Sequence, residues 1–139
     1  MTTGFKIRQA NSEDLNQLIP LLSQLTIVGS IESSQITDHI YNNIYVLYNT
    51  HTNDIVGTIT LLIEPKIIHN AGFVGHIEDV VVDEKYRGKG FGNMLVNHAI
   101  SIAKDRGCYK VILDCDEDNI YFYEKCGFKQ KGVSMRLDC

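Results

Sequence analysis

The stretch GHIEDVVVD, Gly75 to Asp83, running straight into the glycine-rich DEKYRGKGFG, limits the possible folds more than any other part of the chain. Val80, Val81 and Val82 form an unbroken apolar run, the mark of a strand covered on both faces. A helix is predicted just after the loop, over NMLVNHAISIAKDR. Met94, Leu95, His98, Ala99, Ile102 and Ala103 mark its buried stripe, and Gly107 is a natural C-cap. A doubly covered strand feeding a helix through a glycine loop calls for an α/β (α+β) arrangement. Two adjacent carboxylates, Glu78 and Asp79, sit at the centre of that strand, where successive side chains point to opposite faces. A buried carboxylate is costly unless paired or hydrogen-bonded, so this pair needs a reason.

The rest of the chain supplies the other layers of one mixed domain, residues 1–139, in the order β-α-α-β-β-β-α-β-α-β. FKIRQA reads as a first strand. Asn11 and Ser12 offer N-cap oxygens to a helix carrying Leu15, Leu18, Ile19, Leu22 and Leu25 at helical spacing. ESSQITDHI reads as a shorter helix. IYVLYN and IVGTITLLIE, joined by the turn-like THTND, form an antiparallel hairpin. A polar connection around Lys66 to Asn70 precedes the opening strand, which runs from Phe73 to Val82. YKVILDC is another apolar strand, NIYFYEKCGF a short helix with a glycine stop, and VSMRL a last strand.

Charge and composition then remove whole classes of function. A formal net charge of −4 argues against a general nucleic-acid footprint. The exception is local: Lys85, Arg87 and Lys89 cluster in the glycine loop. No apolar run is long enough to span a membrane and the N-terminus has no signal-peptide pattern, so the expected location is cytoplasmic. Cys108, Cys115, Cys126 and Cys139 match no zinc or redox spacing, and the five histidines show no His-Glu-x-x-His. No metal is expected.

Arg87, Gly88, Lys89, Gly90, Phe91 and Gly92 lie between a strand and a helix, where unpaired N–H groups and the positive dipole end favour an anion. Alternate glycines remove Cβ atoms that would block a phosphate, and the cations add charge. The loop therefore reads as a diphosphate cradle. A Walker loop is absent, and a dinucleotide fingerprint would need glycine where Asn93 stands. The remaining pattern, Arg87-x-x-Gly90-x-Gly92, resembles the pyrophosphate loop of the GNAT superfamily of acetyl-CoA-dependent N-acetyltransferases.

That resemblance implies a mixed central sheet flanked by helices, with two strands splayed apart to hold acetyl-CoA. Val80, Val81 and Val82 would supply main-chain partners to its pantetheine arm and ILDC the opposite wall. Arg87 to Asn93 would hold the diphosphate, and Asn119 would contact CoA. GHIEDVVVDEKYRGKGFG, GCYKVILDCDEDN and FYEKCGF, with LTIVG and PKIIH, are similar to the glucosamine 6-phosphate N-acetyltransferase family over nearly the whole length. The likeness implies direct transfer in a ternary complex, serving synthesis of UDP-N-acetylglucosamine. Glu78 would hold or deprotonate the substrate amine, itself or through water, with Asp79 beside it and Asp114 contacting the sugar. An amine attacks a thioester only when neutral, so such a base is required. The Val80 N–H would serve the oxyanion, and Tyr123 would protonate the departing thiolate. Thr26, Lys66 and His69 match sugar-phosphate contacts.

One position departs from the family. The C-terminal arginine that reaches the sugar phosphate from the partner of an intertwined homodimer is replaced here by Asp138. Arg136, two residues earlier on the same strand face, is the available cation. An N-acetyltransferase for another small amine and a catalytically silent acetyl-CoA sensor remain open at this point. Retention of Glu78, Asp114 and Tyr123 beside the loop favours an enzyme.

Overall fold

The computed structural model describes residues 4–139. Strand β1 (Phe5–Gln9) leads through a 3-10 turn, Ser12–Asp14, into helix α1 (Leu15–Leu22). The turn is capped from both sides: Glu13 N–H donates to Asn11 Oδ1, and Asn11 N–H donates to Asp14 Oδ2, each at 2.9 Å. Asp14 also accepts from Arg8 at 2.7 and 2.8 Å, tying the start of α1 to β1. The short helix expected over ESSQITDHI forms only as a 3-10 turn, Ser33–Gln35, and the single turn α2 (Asp38–Tyr41). Few apolar residues there have a face to bury: Tyr41 is buried and Ile36 packs partly buried against the same core.

Strands β2 (Ile44–Asn49) and β3 (Ile55–Pro65) form the expected hairpin. The connection expected to be a plain polar loop contains a tight segment, α3 (Ile68–Ala71), with left-handed residues inside it. Strand β4 (Phe73–Val82) spans the predicted residues. Helix α4 (Phe91–Asp105) then starts two residues before Asn93, because Gly90 caps it in a left-handed conformation. Strand β5 (Cys108–Ile112) and helix α5 (Ile120–Lys125) follow.

The sheet order is β1-β2-β3-β4-β5, antiparallel except for the parallel pair β4–β5 that α4 connects. One face packs on α4 through Leu47, Ile59, Leu61, Ile77, Phe91, Leu95, Val96, Ala99 and Ala103. Val96 belongs to this core although the predicted stripe left it out. The other face packs on α1 through Leu18, Leu21, Val46, Ile55 and Val81.

The last predicted strand does not form. Beyond Phe128 the chain has no regular structure, and Val133, Met135 and Leu137 are exposed. Their alternate spacing suits a strand, but a strand needs an edge to pair with, and the tail pairs with none among the described residues.

Candidate active site

The bulge in β4 explains the two carboxylates. Thr58 faces Val81 and Thr60 faces Glu78, so Asp79 and Val80 together oppose the single residue Ile59. Asp79 has a φ of 49°, in the left-handed region. An extra residue on one strand interrupts the in–out alternation. Ile77 accordingly packs toward α4 and Val81 toward α1, while Glu78 and Asp79 both reach solvent. The expectation of opposite faces on a fully covered strand is corrected here. Neither carboxylate carries a burial cost.

Beyond the bulge the sheet opens. Pairing of β4 with β5 runs from Phe73–Cys108 to His76–Ile112 and stops. From Ile77 to Val82, β4 has no partner on that side among the described residues. The opening is a cleft of about 690 Å³. Glu78, Asp79 and Val80 line one wall, Val111 to Asp116 the other, and Asn119, Tyr123 and Phe128 close the end. Asp114 is exposed just past β5. Asn119 is the N-cap residue of α5, yet its side chain makes no capping bond, leaving the amide available to a ligand.

Tyr123 is half-buried, its ring held edge-on by Phe122 at 4.9 Å and Phe128 at 5.9 Å. Burial pushes its phenol above the usual value, with the Cys115 and Cys126 thiols adding to the effect. The hydroxyl thus keeps its proton at neutral pH, as a proton donor must.

At the end of β4, Asp83 caps a 3-10 turn, Glu84–Tyr86, by accepting from Lys85 N–H at 3.0 Å. Arg87 Nε donates to Val82 O at 3.1 Å, and Lys89 is exposed. Gly88 and Gly90 have φ of 79° and 84°, and a Cβ on either would meet nothing within 4 Å. Both thus leave open space beside the first-turn N–H groups of Phe91, Gly92 and Asn93, which suits a diphosphate. Gly92 has a different purpose: a Cβ there would lie 3.1 Å from Phe122 Cζ. It permits close contact between α4 and Phe122 of α5, a pairing that the glycine pattern of the loop does not signal.

The remaining predicted residues lie in two places. Thr26 is exposed beside Leu25, which lines the cleft. Arg136 also lines it, its Nε 2.6 Å from Asp138. Lys66 and His69 stand on the connection between β3 and β4, at the end of β4 away from the bulge. Lys66 Nζ lies 3.0 Å from one oxygen of Glu64, and His76 Nε2 lies 2.9 Å from the other. His76 and Lys66 together hold the Glu64 carboxyl below its usual range. The chain's own cleft does not gather Lys66 and His69.

A mixed sheet opened between two parallel strands, with a glycine turn leading into the helix that joins them, defines an acetyltransferase. The chain belongs to the acetyltransferase (GNAT) family, whose sequence profile matches residues 15–128. Its particular branch is plain from its relatives. Glucosamine 6-phosphate N-acetyltransferase of Arabidopsis thaliana is 40% identical, over 97% of each chain. The Candida albicans protein of the same name is also 40% identical, over 95% of this chain and 94% of that one. The Arabidopsis crystal structure matches with a TM-score of 0.89 over 96% of this chain and 97% of that one. A Trypanosoma brucei acetyltransferase structure, 38% identical, matches with 0.90 over 97% and 99%.

Proposed function

We propose that the protein transfers the acetyl group of acetyl-CoA to the amine of D-glucosamine 6-phosphate, giving N-acetyl-D-glucosamine 6-phosphate and CoA. The observation that carries this reading is the parting of β4 from β5, which brings Glu78, Asp114 and Tyr123 to one cleft beside an open glycine cradle. Near-full-length relatives that bear the enzyme's name support it. A role in cytoplasmic UDP-N-acetylglucosamine synthesis goes with that reaction.

Acetyl-CoA supplies the activated acetyl group; the chain supplies position and protons. Arg87, Gly88, Lys89, Gly90, Phe91, Gly92 and Asn93 hold the diphosphate by charge and backbone N–H groups. Val80, Val81 and Val82 offer main-chain partners along the unpaired edge of β4, and Asn119 adds a side-chain amide. Glu78, exposed at the bulge, holds the substrate ammonium and takes its proton, directly or through water, so that the amine attacks as a neutral nucleophile. Asp79 and Asp114 orient the sugar from the two walls. The Val80 N–H donates to the carbonyl oxygen as charge develops there. The Tyr123 hydroxyl gives its proton to the leaving sulfur.

Phosphate recognition falls to Thr26, Lys66, His69 and Arg136. Lys66 and His69 lie away from the cleft of their own chain, and the tail exposes Val133, Met135 and Leu137 at strand spacing. Both features favour a homodimer in which each tail pairs with the second copy and each site is completed across the interface. CoA release from acetyl-CoA, measured across a panel of amino sugars and polyamines, tests the substrate. Glucosamine 6-phosphate should exceed unphosphorylated glucosamine by a wide margin in kcat/KM. Equal rates would assign the enzyme to another amine, and no release with any amine would leave a silent binding module. Sedimentation at micromolar concentration tests the dimer.

A further inference from the structure

The glycine loop is anchored differently at its two ends. At the far end Phe91 is buried in the core beneath α4. At the near end the 3-10 turn Glu84–Tyr86 lies outside the sheet, so its N–H groups need partners one by one. Asp83 N–H donates to Val56 O and Tyr86 N–H to Asp83 O, both at 2.8 Å, and Lys85 N–H donates to the Asp83 side chain. Those bonds are local to the ends of β3 and β4. Glu84 N–H instead donates to Oε1 of Gln24, just past the end of α1, at 3.0 Å.

The Tyr86 ring packs on Phe5 and Phe91, but packing does little to hold the turn toward α1. A polar cavity of about 340 Å³ lies there, lined by Gln17, Gln24, Asp54, Asp83, Lys85 and Tyr86. Gln17 and Gln24, about two helical turns apart on one side, both reach backbone across it. Gln17 Oε1 accepts from Ile55 N–H at 2.7 Å, and Gln17 Nε2 donates to Asn53 O at 3.2 Å. Ile55 opens a strand already paired on both sides, so that bond serves the fold. Gln24 holds the turn from which Arg87 and Gly88 start. Its own backbone is set independently: the Gln24, Leu25 and Thr26 N–H groups donate to the Leu21 and Leu22 carbonyls at 3.1, 2.9 and 3.1 Å. Loss of the Gln24 side-chain oxygen would therefore loosen the turn and leave Leu25 and Thr26 in place at the cleft.

We infer that Gln24 is a positioning residue for acetyl-CoA: its bond to the Glu84 N–H fixes the turn before the cradle and so sets Arg87 and Gly88 before the ligand arrives. The inference rests on the reading of Arg87 to Asn93 as the diphosphate site. Gln24 acts through the turn, and pre-setting that turn spares the ligand the cost of ordering it.

Titration calorimetry with acetyl-CoA and steady-state kinetics on the full chain test this. Gln24→Met keeps the length of the side chain and removes its acceptor; it should weaken acetyl-CoA binding about two- to tenfold, the worth of one such bond. The turnover number and the KM for glucosamine 6-phosphate should stay within about twofold. Gln24→Glu restores an acceptor and should match wild type when both are measured at about 0.5 M salt, which screens the added charge. Gln17→Met is the control for a merely structural part. It removes a bond across the same cavity, so it should lower Tm and leave acetyl-CoA affinity unchanged. Amide exchange at Glu84, faster in Gln24→Met and unaltered in Gln17→Met, reads the bond apart from activity. Unchanged affinity in Gln24→Met would overturn the inference, as would an equal loss in Gln17→Met or no recovery in Gln24→Glu. If Arg87→Ala kept the wild-type affinity, the diphosphate reading would fail first and the positioning role with it.

Discussion

Gly90 allows backbone strain and electrostatics in the glycine loop to be separated. It caps α4 with a φ of 84°, and a Cβ there meets no atom within 4 Å. Asparagine and aspartate tolerate the left-handed region better than other side chains and have nearly the same shape. Gly90→Asn should therefore cost the fold about 1 kcal/mol, a fall of about 3–5 °C in Tm. Gly90→Asp should cost no more, since a carboxylate at a helix N-terminus is favoured. The two variants diverge once acetyl-CoA is added. A carboxylate about 5 Å from a phosphate charge is opposed by about 3 kcal/mol at an effective dielectric constant of ~20, or roughly 200-fold in affinity. Solvent in this open loop reduces that to between about tenfold and 100-fold at 0.1 M salt, and the gap should shrink again at 1 M. Titration calorimetry with acetyl-CoA on both folded variants reads it directly. Equal affinities at low salt, or a gap indifferent to salt, would refute the placement of the diphosphate at this loop.

Tyr123→Phe keeps the contacts with Phe122 and Phe128 and removes only the hydroxyl. Turnover should fall about 100-fold with acetyl-CoA affinity unchanged, read by CoA release and calorimetry. Glu78→Gln should lower turnover most at acid pH, where the substrate amine begins protonated; a wild-type pH profile would make Glu78 structural. Arg136→Ala should raise KM for glucosamine 6-phosphate more than for glucosamine. Its exposed pair with Asp138 contributes little and is easily exchanged for a phosphate. Burial would raise the Asp14 carboxyl, but its bonds from Arg8 and Asn11 outweigh that and hold it below its ordinary value. A depressed folded pKa contributes stability above the unfolded value of about 3.9 and loses it as pH falls toward the folded one. Asp14→Asn should thus cost about 1–3 kcal/mol at pH 7, allowing for the part-exposed Arg8, with the gap to wild type narrowing as pH falls below the unfolded value. Urea unfolding across that pH range checks it.

The elements that bound the cleft were legible because each carries its own local signal. Alternating and continuous apolar runs mark β3 and β4, and glycine with clustered cations marks the loop. The bulge was not legible: Asp79 is not a glycine, and nothing in a period-2 pattern announces an extra residue. The left-handed backbone at His69 and Asn70 escaped for the same reason, since neither is a glycine. Residue motifs could name Glu78, Asp114 and Tyr123, and topology brings them to one cleft. The same motifs name Lys66 and His69, but the fold of one chain leaves them elsewhere. The pattern VSMRL has the spacing of a strand, and pairing, which decides whether a strand exists, is not a property of the segment alone.

The unpaired edge of β4 makes a small metabolite part of the folding equilibrium. From Ile77 to Val82 the free protein turns main-chain groups toward solvent where a sixth partner could lie. A ligand that lies along that edge in the folded chain, and has no site in the unfolded one, adds about 2.7 kcal/mol of stability at 100 times its dissociation constant. In the proposed reading that ligand is acetyl-CoA. With acetyl-CoA saturating, the region of β5 and α5 should open less readily, and resist proteases better, than in the free protein. Abundance of the protein would then follow the supply of its own substrate over hours, a slow response added to the immediate one set by KM.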